Sequence, residues 1–230
     1  MNYSEKEENA NQADFITKIF AWLGFVLLVS AITAFKVSQN FILVQQMTNN
    51  PIILIVLIAA QLGFVLWLTS NMKEFSPQKS KICFFIYAIA NGLIIPLIFY
   101  DINSDFQIGV FFVLAGMFLL TSAFGYFSKQ DLSSWFGLLL MAIIGFCLDF
   151  AMNLFWRNDK TSLIIAAIAT LIFVGITAYT FKNNIEINIK SNDETPKEPI
   201  LGAFALYLNL FFLLVAIVME ANKSTKRINS

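Results

Sequence analysis

Pro51-Ile52-Ile53-Leu54-Ile55-Val56-Leu57-Ile58-Ala59-Ala60-Gln61-Leu62-Gly63-Phe64-Val65-Leu66-Trp67-Leu68-Thr69-Ser70 contains no charged side chain. A helix rises about 1.5 Å per residue, so about 20 residues cross the ~30 Å hydrocarbon core of a bilayer. The block has that length, and Asn49-Asn50-Pro51 opens it with turn-forming residues. Lipid offers no partner to an unpaired backbone amide, so such a span must be helical. Working outward, six further blocks read the same way: Ile19–Phe35, Ile82–Tyr100, Ile108–Phe127, Trp135–Trp156, Leu163–Phe181 and Ile200–Met219. The predicted fold class is therefore an all-α integral membrane protein with seven transmembrane helices.

Composition agrees. Hydrophobic residues make up 58% of the chain and charged residues 13%, against roughly 25% charged in an average soluble domain. Lys+Arg and Asp+Glu balance at 15 each, so no overall charge points to nucleic acid, and the apolar blocks make the lipid bilayer the expected partner. The first residues are polar and acidic (Glu5, Glu7, Glu8, Asp14), the wrong flank for a cleaved signal peptide. The expected organisation is a polar tail over 1–18, a seven-helix membrane domain over 19–219 and a polar tail over 220–230.

Breaks between blocks fall at Ser76-Pro77, Asp101 to Asp105, Lys129-Gln130-Asp131 and the long polar stretch Lys182–Pro199. Basic residues set the orientation. Lys6, Lys18, Lys73, Lys79, Lys81, Lys129, Lys182, Lys190 and Lys197 fall on the side of the N-terminus. Lys36, Arg157 and Lys160 face them across the membrane, with Lys223, Lys226 and Arg227 in the C-terminal tail. This bias predicts a cytoplasmic N-terminus. A six-span version with a re-entrant last segment would move the basic tail inside. Trp135 and Trp156 bracket the fifth block, as aromatic residues do at headgroup level.

No histidine occurs in the chain. That removes His-based zinc sites, Ser-His hydrolases, haem ligation by His and histidine pH switches. Phosphate loops, GxSxG elbows and CxxC pairs are also missing, so neither enzymatic activity nor a cofactor is expected. A retinal protein is rejected because Ile200–Met219 offers no lysine for a Schiff base. Cys83 and Cys147 sit inside apolar blocks, where a thiol behaves as a small hydrophobe.

Polar residues within the spans are the candidate site. Asp149 is the acidic residue well inside the fifth block, and Asn153 follows one helical turn later on the same face. An acid at that depth costs on the order of 2.5–3.5 kcal/mol when charged. It therefore reads either as an ion or proton pathway element or as a protonated interhelical link. Gln61 and Asn91 lie midway along their spans, Asn91 followed by Gly92 and Pro96. Such amides and small residues mark helix–helix contacts more often than ligand sites.

Several stretches carry a family resemblance. Gly125-Tyr126-Phe127-Ser128-Lys129-Gln130-Asp131-Leu132-Ser133 resembles the Gly-Tyr-x-[Thr/Ser]-Lys-x-Asp-Leu-Ser signature of the Bax inhibitor family. Tyr87-Ala88-Ile89-Ala90-Asn91-Gly92-Leu93 is similar to that family's third-span pattern. Asn153-Leu154-Phe155, Ala178-Tyr179 and Tyr207-Leu208 match pieces of its fifth, sixth and last spans. The resemblance implies a last helix surrounded by the other six. It also implies roles in calcium leak, ion or stress homeostasis, or modulation of a membrane protease, in a bacterial inner membrane. In the bacterial branch the leak is attributed to two aspartates that share a proton, as close carboxylates must.

The sequence departs from the family there. Thr180 and Asn209 stand at the two aspartate positions, Gln61 at a position commonly Glu, and Asn71 or Met72 where a basic residue is often found. The fold implied by the resemblance is unaffected, whereas a pH-gated calcium mechanism loses its titrating groups.

Overall fold

The computed structural model describes residues 3–71, 74–98, 104–128, 135–152, 171, 174–175 and 199–211. All the elements formed there are helices: α1 (Tyr3–Ser38), α2 (Phe41–Thr48), α3 (Pro51–Asn71), α4 (Pro77–Ile98), α5 (Ser104–Ser128), α6 (Trp135–Met152) and α7 (Pro199–Phe211). Among the described residues, Asp14–Ser38, Pro77–Leu97 and Phe111–Ser128 are long and apolar enough to cross a membrane. Ile55–Asn71, Gly137–Leu148 and Pro199–Phe211 form shorter apolar helices. Of the sixth block, Leu171, Val174 and Gly175 are described; they are helical, and Val174 packs against the core.

The breaks read in the sequence become caps. Asn50 Oδ1 accepts from the Ile52 amide at 3.2 Å, which places Asn50 as the N-cap of α3. Pro51 then occupies the first helical turn, where its missing N–H costs nothing. Pro77 repeats the device for α4, with the Ser80 amide donating to the Ser76 carbonyl at 3.0 Å. Two features differ from the sequence reading. α1 begins at Tyr3, well before the first apolar block, and already buries Ile16 and Thr17. Between the first two blocks, Phe41–Thr48 forms a short helix.

Contacts fix the helix directions. Trp22, Ser30 and Thr33 of α1 meet Lys81, Ala88 and Gly92 of α4 in the same order, so the two run parallel. α5 runs against α1: Ser122 bonds to Thr17, Phe118 packs on Phe20, and Gly24 lies against Ala115. α3 runs against α4, with Gln61 beside Asn91 and Phe64 beside Tyr87. α7 runs with α4, since Phe204 meets Phe84 and Tyr207 meets Tyr87. α6 folds back on α5, bringing Leu148 against Gly116.

α1 makes its most extensive contacts with α5 and then α4. Its core stripe is Ile16, Ile19, Phe20, Leu23, Val26, Leu27, Ala31 and Ala34, all buried at helical spacing. α7 buries Ile200, Ala203, Phe204, Leu206, Tyr207, Leu210 and Phe211, and within Pro199–Phe211 Asn209 alone is exposed. A helix apolar around most of its circumference belongs in an interior.

Candidate functional site: a neutral polar layer

Four helices contribute polar side chains to one level of the bundle. α1 supplies Ser30, α3 Gln61, α4 Tyr87 and Asn91, and α7 Tyr207. Ser30, Tyr87, Asn91 and Tyr207 are fully buried. In a hydrocarbon surrounding, such groups persist only if they satisfy one another.

Ser30 is the hub. Its Oγ lies 3.1 Å from the Val26 carbonyl, 2.9 Å from the Ala88 carbonyl and 2.7 Å from the Tyr207 hydroxyl. Carbonyls only accept, so the single serine proton is directed to them. The tyrosine therefore donates its own proton to Ser30. The bond to Ala88 requires α1 and α4 to approach closely, and Gly92 permits that. A Cβ at Gly92 would stand 2.6 Å from Thr33 Cβ and 2.7 Å from the Ser30 carbonyl oxygen. Small residues at such crossings are the usual route to tight helix contact in membranes.

The layer continues through the amides. Asn91 Nδ2 donates to the Tyr87 carbonyl at 3.3 Å, and Gln61 Nε2 donates to Asn91 Oδ1. The Tyr87 hydroxyl interacts with both amides, and the Tyr207 hydroxyl with Asn91. Gln61 Oε1 is buried without a hydrogen-bond partner. Rings seal the layer: Tyr87 and Tyr207 meet edge to face at 5.7 Å, with Phe84 and Phe204 arranged similarly around them. Pro96, inside α4, has no N–H to donate, so the Gly92 carbonyl receives no bond from the next turn.

Of the residues singled out in the sequence, Gln61 and Asn91 are brought together. Asp149 lies within α6, and its side chain is outside what the structure describes, as are Asn153 and Thr180 altogether. Asn209 is exposed, two residues from Tyr207 and so on the other side of α7. Sequence reasoning missed Ser30 and the two tyrosine hydroxyls as members of the layer. The available signal was a serine and a threonine three residues apart in the second half of the first block. Among the described residues, no group of three or more Cys, Asp or Glu side chains could hold a metal ion.

The chain matches the profile of the family described as "Inhibitor of apoptosis-promoting Bax1" over residues 12–223. It belongs to the Bax inhibitor family. Among its relatives is the inner membrane protein YbhL of Escherichia coli (strain K12), 31% identical over 218 residues, covering 92% of this chain and 93% of that one. An uncharacterized protein of Deinococcus radiodurans is 30% identical over 208 residues, covering 88% and 89% of the two chains. Another, of Borreliella burgdorferi, is 26% identical over 217 residues, covering 92% and 94%. No solved structure matches the chain. Among the described residues of this membrane protein of the Bax inhibitor family, the layer at mid-bundle is built of hydroxyls and amides. None of these side-chain types titrates between roughly pH 5 and 8.

Proposed function

We propose that this Bax inhibitor family member is an inner-membrane protein acting on ion or stress homeostasis, as a leak for calcium or protons without the family's paired-aspartate sensor. The observation that carries this reading is the neutral polar layer, which leaves Gln61 Oε1 open as an acceptor. The Thr180 and Asn209 substitutions accompany it. Calcium and proton flux measured in reconstituted vesicles is expected to stay nearly flat between roughly pH 5 and 8, because no histidine titrates there. The double change Thr180→Asp with Asn209→Asp is expected to restore a coupled titration. A steep pH dependence in the unmodified chain overturns the reading and moves attention to Asp149.

A second reading is a non-transporting protein that regulates a membrane partner such as a quality-control protease. It is favoured by the hydrogen bonds that Ser30 makes to α4 and α7 and that Gln61 makes to Asn91, which suit a crosslink between helices. Absence of any flux in folded, reconstituted protein supports it.

The proposed architecture is seven spans around α7, with a cytoplasmic N-terminus. α6 follows the α5 hairpin and so runs with α1, and α7 also runs with α1. These parallel directions support a further crossing between them, which the sixth apolar block would supply. Cysteines at Ser76 and Asn40, in a background lacking Cys83 and Cys147, are expected to label from opposite faces. One at Ser224 is expected to label with Asn40. Labelling of Ser224 with Ser76 returns the six-span alternative.

A further inference from the structure

At the end of the bundle where α3 stops and α4 starts, two ammonium groups stand over aromatic rings. Lys81 Nζ is 5.5 Å from the Trp22 ring centroid, and Lys79 Nζ is 3.9 Å from that of Phe75. Lys18 is engaged with Asp14, and no other ion pair forms among the described residues. Glu74 lies in the same turn. Both α4 lysines are exposed.

What lies next to Lys81 matters most. Ile82 follows it directly, and Phe85 comes one turn on; both are exposed large hydrophobics. Phe85 stacks on Phe25 of α1 at 6.1 Å, and Phe25 meets Trp22 edge to face at 6.3 Å. Trp22, Phe25 and Phe85 thus form a continuous run of rings along the α1–α4 surface, with exposed Ile82 one turn before Phe85 on α4, and the run ends at one ammonium group. A cation at headgroup level above a lipid-facing strip is complementary to an amphiphile with an anionic head and a hydrocarbon tail.

We infer that the α1–α4 surface binds an anionic phospholipid, its phosphate at Lys81 beside Trp22 and an acyl chain along Phe25, Phe85 and Ile82. Lys79 lies two residues earlier in the same first turns of α4, adding positive charge at the same depth. A free phosphate would satisfy the lysine equally, but it would leave the apolar strip unused. The occupant is therefore a lipid.

The full chain carrying Trp67→Phe, Trp135→Phe and Trp156→Phe keeps Trp22 as the single fluorophore. It is reconstituted in equal mixtures of phosphatidylcholine and phosphatidylglycerol, with one or the other lipid brominated. Brominated phosphatidylglycerol is expected to quench Trp22 as if enriched about five-fold per lysine over bulk, with the enrichment shrinking at high salt. Lys81→Gln is expected to remove most of it, while Lys81→Arg and Lys36→Gln, at the opposite end, retain it. Retention by Lys81→Arg also shows that the variants fold and insert. Equal quenching by the two lipids overturns the inference, as does enrichment that survives Lys81→Gln. Enrichment abolished by inorganic phosphate at constant ionic strength reassigns the site to a free anion, and likewise overturns it.

Discussion

Along α1 two seams run side by side. Toward α5, Gly24 lies under Leu119 and Ala115, and Phe20 packs edge-on against Phe118 at 5.2 Å. A hydrogen bond crosses there, from Ser122 to the Thr17 carbonyl at 2.9 Å. Toward α4, Gly92 lies against Thr33 and Ser30, and the serine ties α1 to both α4 and α7. Both seams use a glycine for close approach. The first is lined by packed apolar side chains, whereas the second carries a polar layer that must be completed by two further helices. Dispersion tolerates small shifts, but a buried hydrogen-bond network does not.

The sharpest way to break the comparison is Gly92→Val. Its Cβ would press on a backbone carbonyl and a branched side chain, neither of which can yield. A loss of about 3 kcal/mol is expected from overpacking, seen as a lower unfolding midpoint in detergent. Gly24→Ala is expected to cost about 2 kcal/mol, because a Cβ there meets Leu119 Cγ at 2.8 Å and the Leu119 backbone nitrogen at 2.9 Å, so α5 must draw back, but no hydrogen-bonded layer is displaced with it. Gly63 has nothing within 4 Å of a built Cβ, so Gly63→Ala is expected to be tolerated. Equal losses at Gly92 and Gly24 would erase the distinction between the seams.

Next in size is Asn91→Ala, which strips Gln61 Nε2 of its acceptor while Gln61 Oε1 already lacks a donor. A cost of about 2 kcal/mol is expected for the stranded amide. The double change Asn91→Leu with Gln61→Leu is expected to recover most of it, since removing both partners removes the penalty. Failure of the recovery would mean that Asn91 matters through something other than Gln61.

The smallest expected effect is the coupling between Ser30 and Tyr207. A double-mutant cycle on Ser30→Ala and Tyr207→Phe is expected to give about 0.6 kcal/mol, the usual scale for hydrogen bonds between membrane helices. Ser30 keeps its carbonyl partners when Tyr207 loses its hydroxyl, which keeps the value low. A coupling several times larger would make this bond, and not the Gly92 contact, the feature that distinguishes the α4 seam.

Much of the fold was legible because it follows from length and solvent. Blocks such as Pro51–Ser70 leave a chain in lipid no alternative to helix, and Asn50-Pro51 and Ser76-Pro77 mark helix starts by their backbone chemistry. The helix Phe41–Thr48 escaped notice because its apolar run is too short to register as a span. The early start of α1 escaped because its first turns are polar. At the site, Gln61 and Asn91 stood out as amides in apolar surroundings, but nothing in the sequence says that they meet. Ser30 and Tyr207 are 177 positions apart. Their contact depends on α7 running parallel to α1, and a hydroxyl within an apolar block is otherwise unremarkable. The resemblance to the Bax inhibitor family marked Tyr87 and Tyr207 as motif residues without saying what their hydroxyls touch.

The 3.1 Å contact from Ser30 Oγ back to the Val26 carbonyl, one turn earlier in α1, has a consequence during synthesis. A ribosome delivers α1 to the bilayer long before it has made Tyr207. Through that interval the serine hydroxyl would face hydrocarbon with neither Ala88 nor Tyr207 to receive it. The local bond lets α1 shelter its own polar group while it waits, at the cost only of a slight bend. The same proton can later be shared with Ala88 once α4 arrives, and the lone pairs it leaves exposed become the acceptor that captures the last helix.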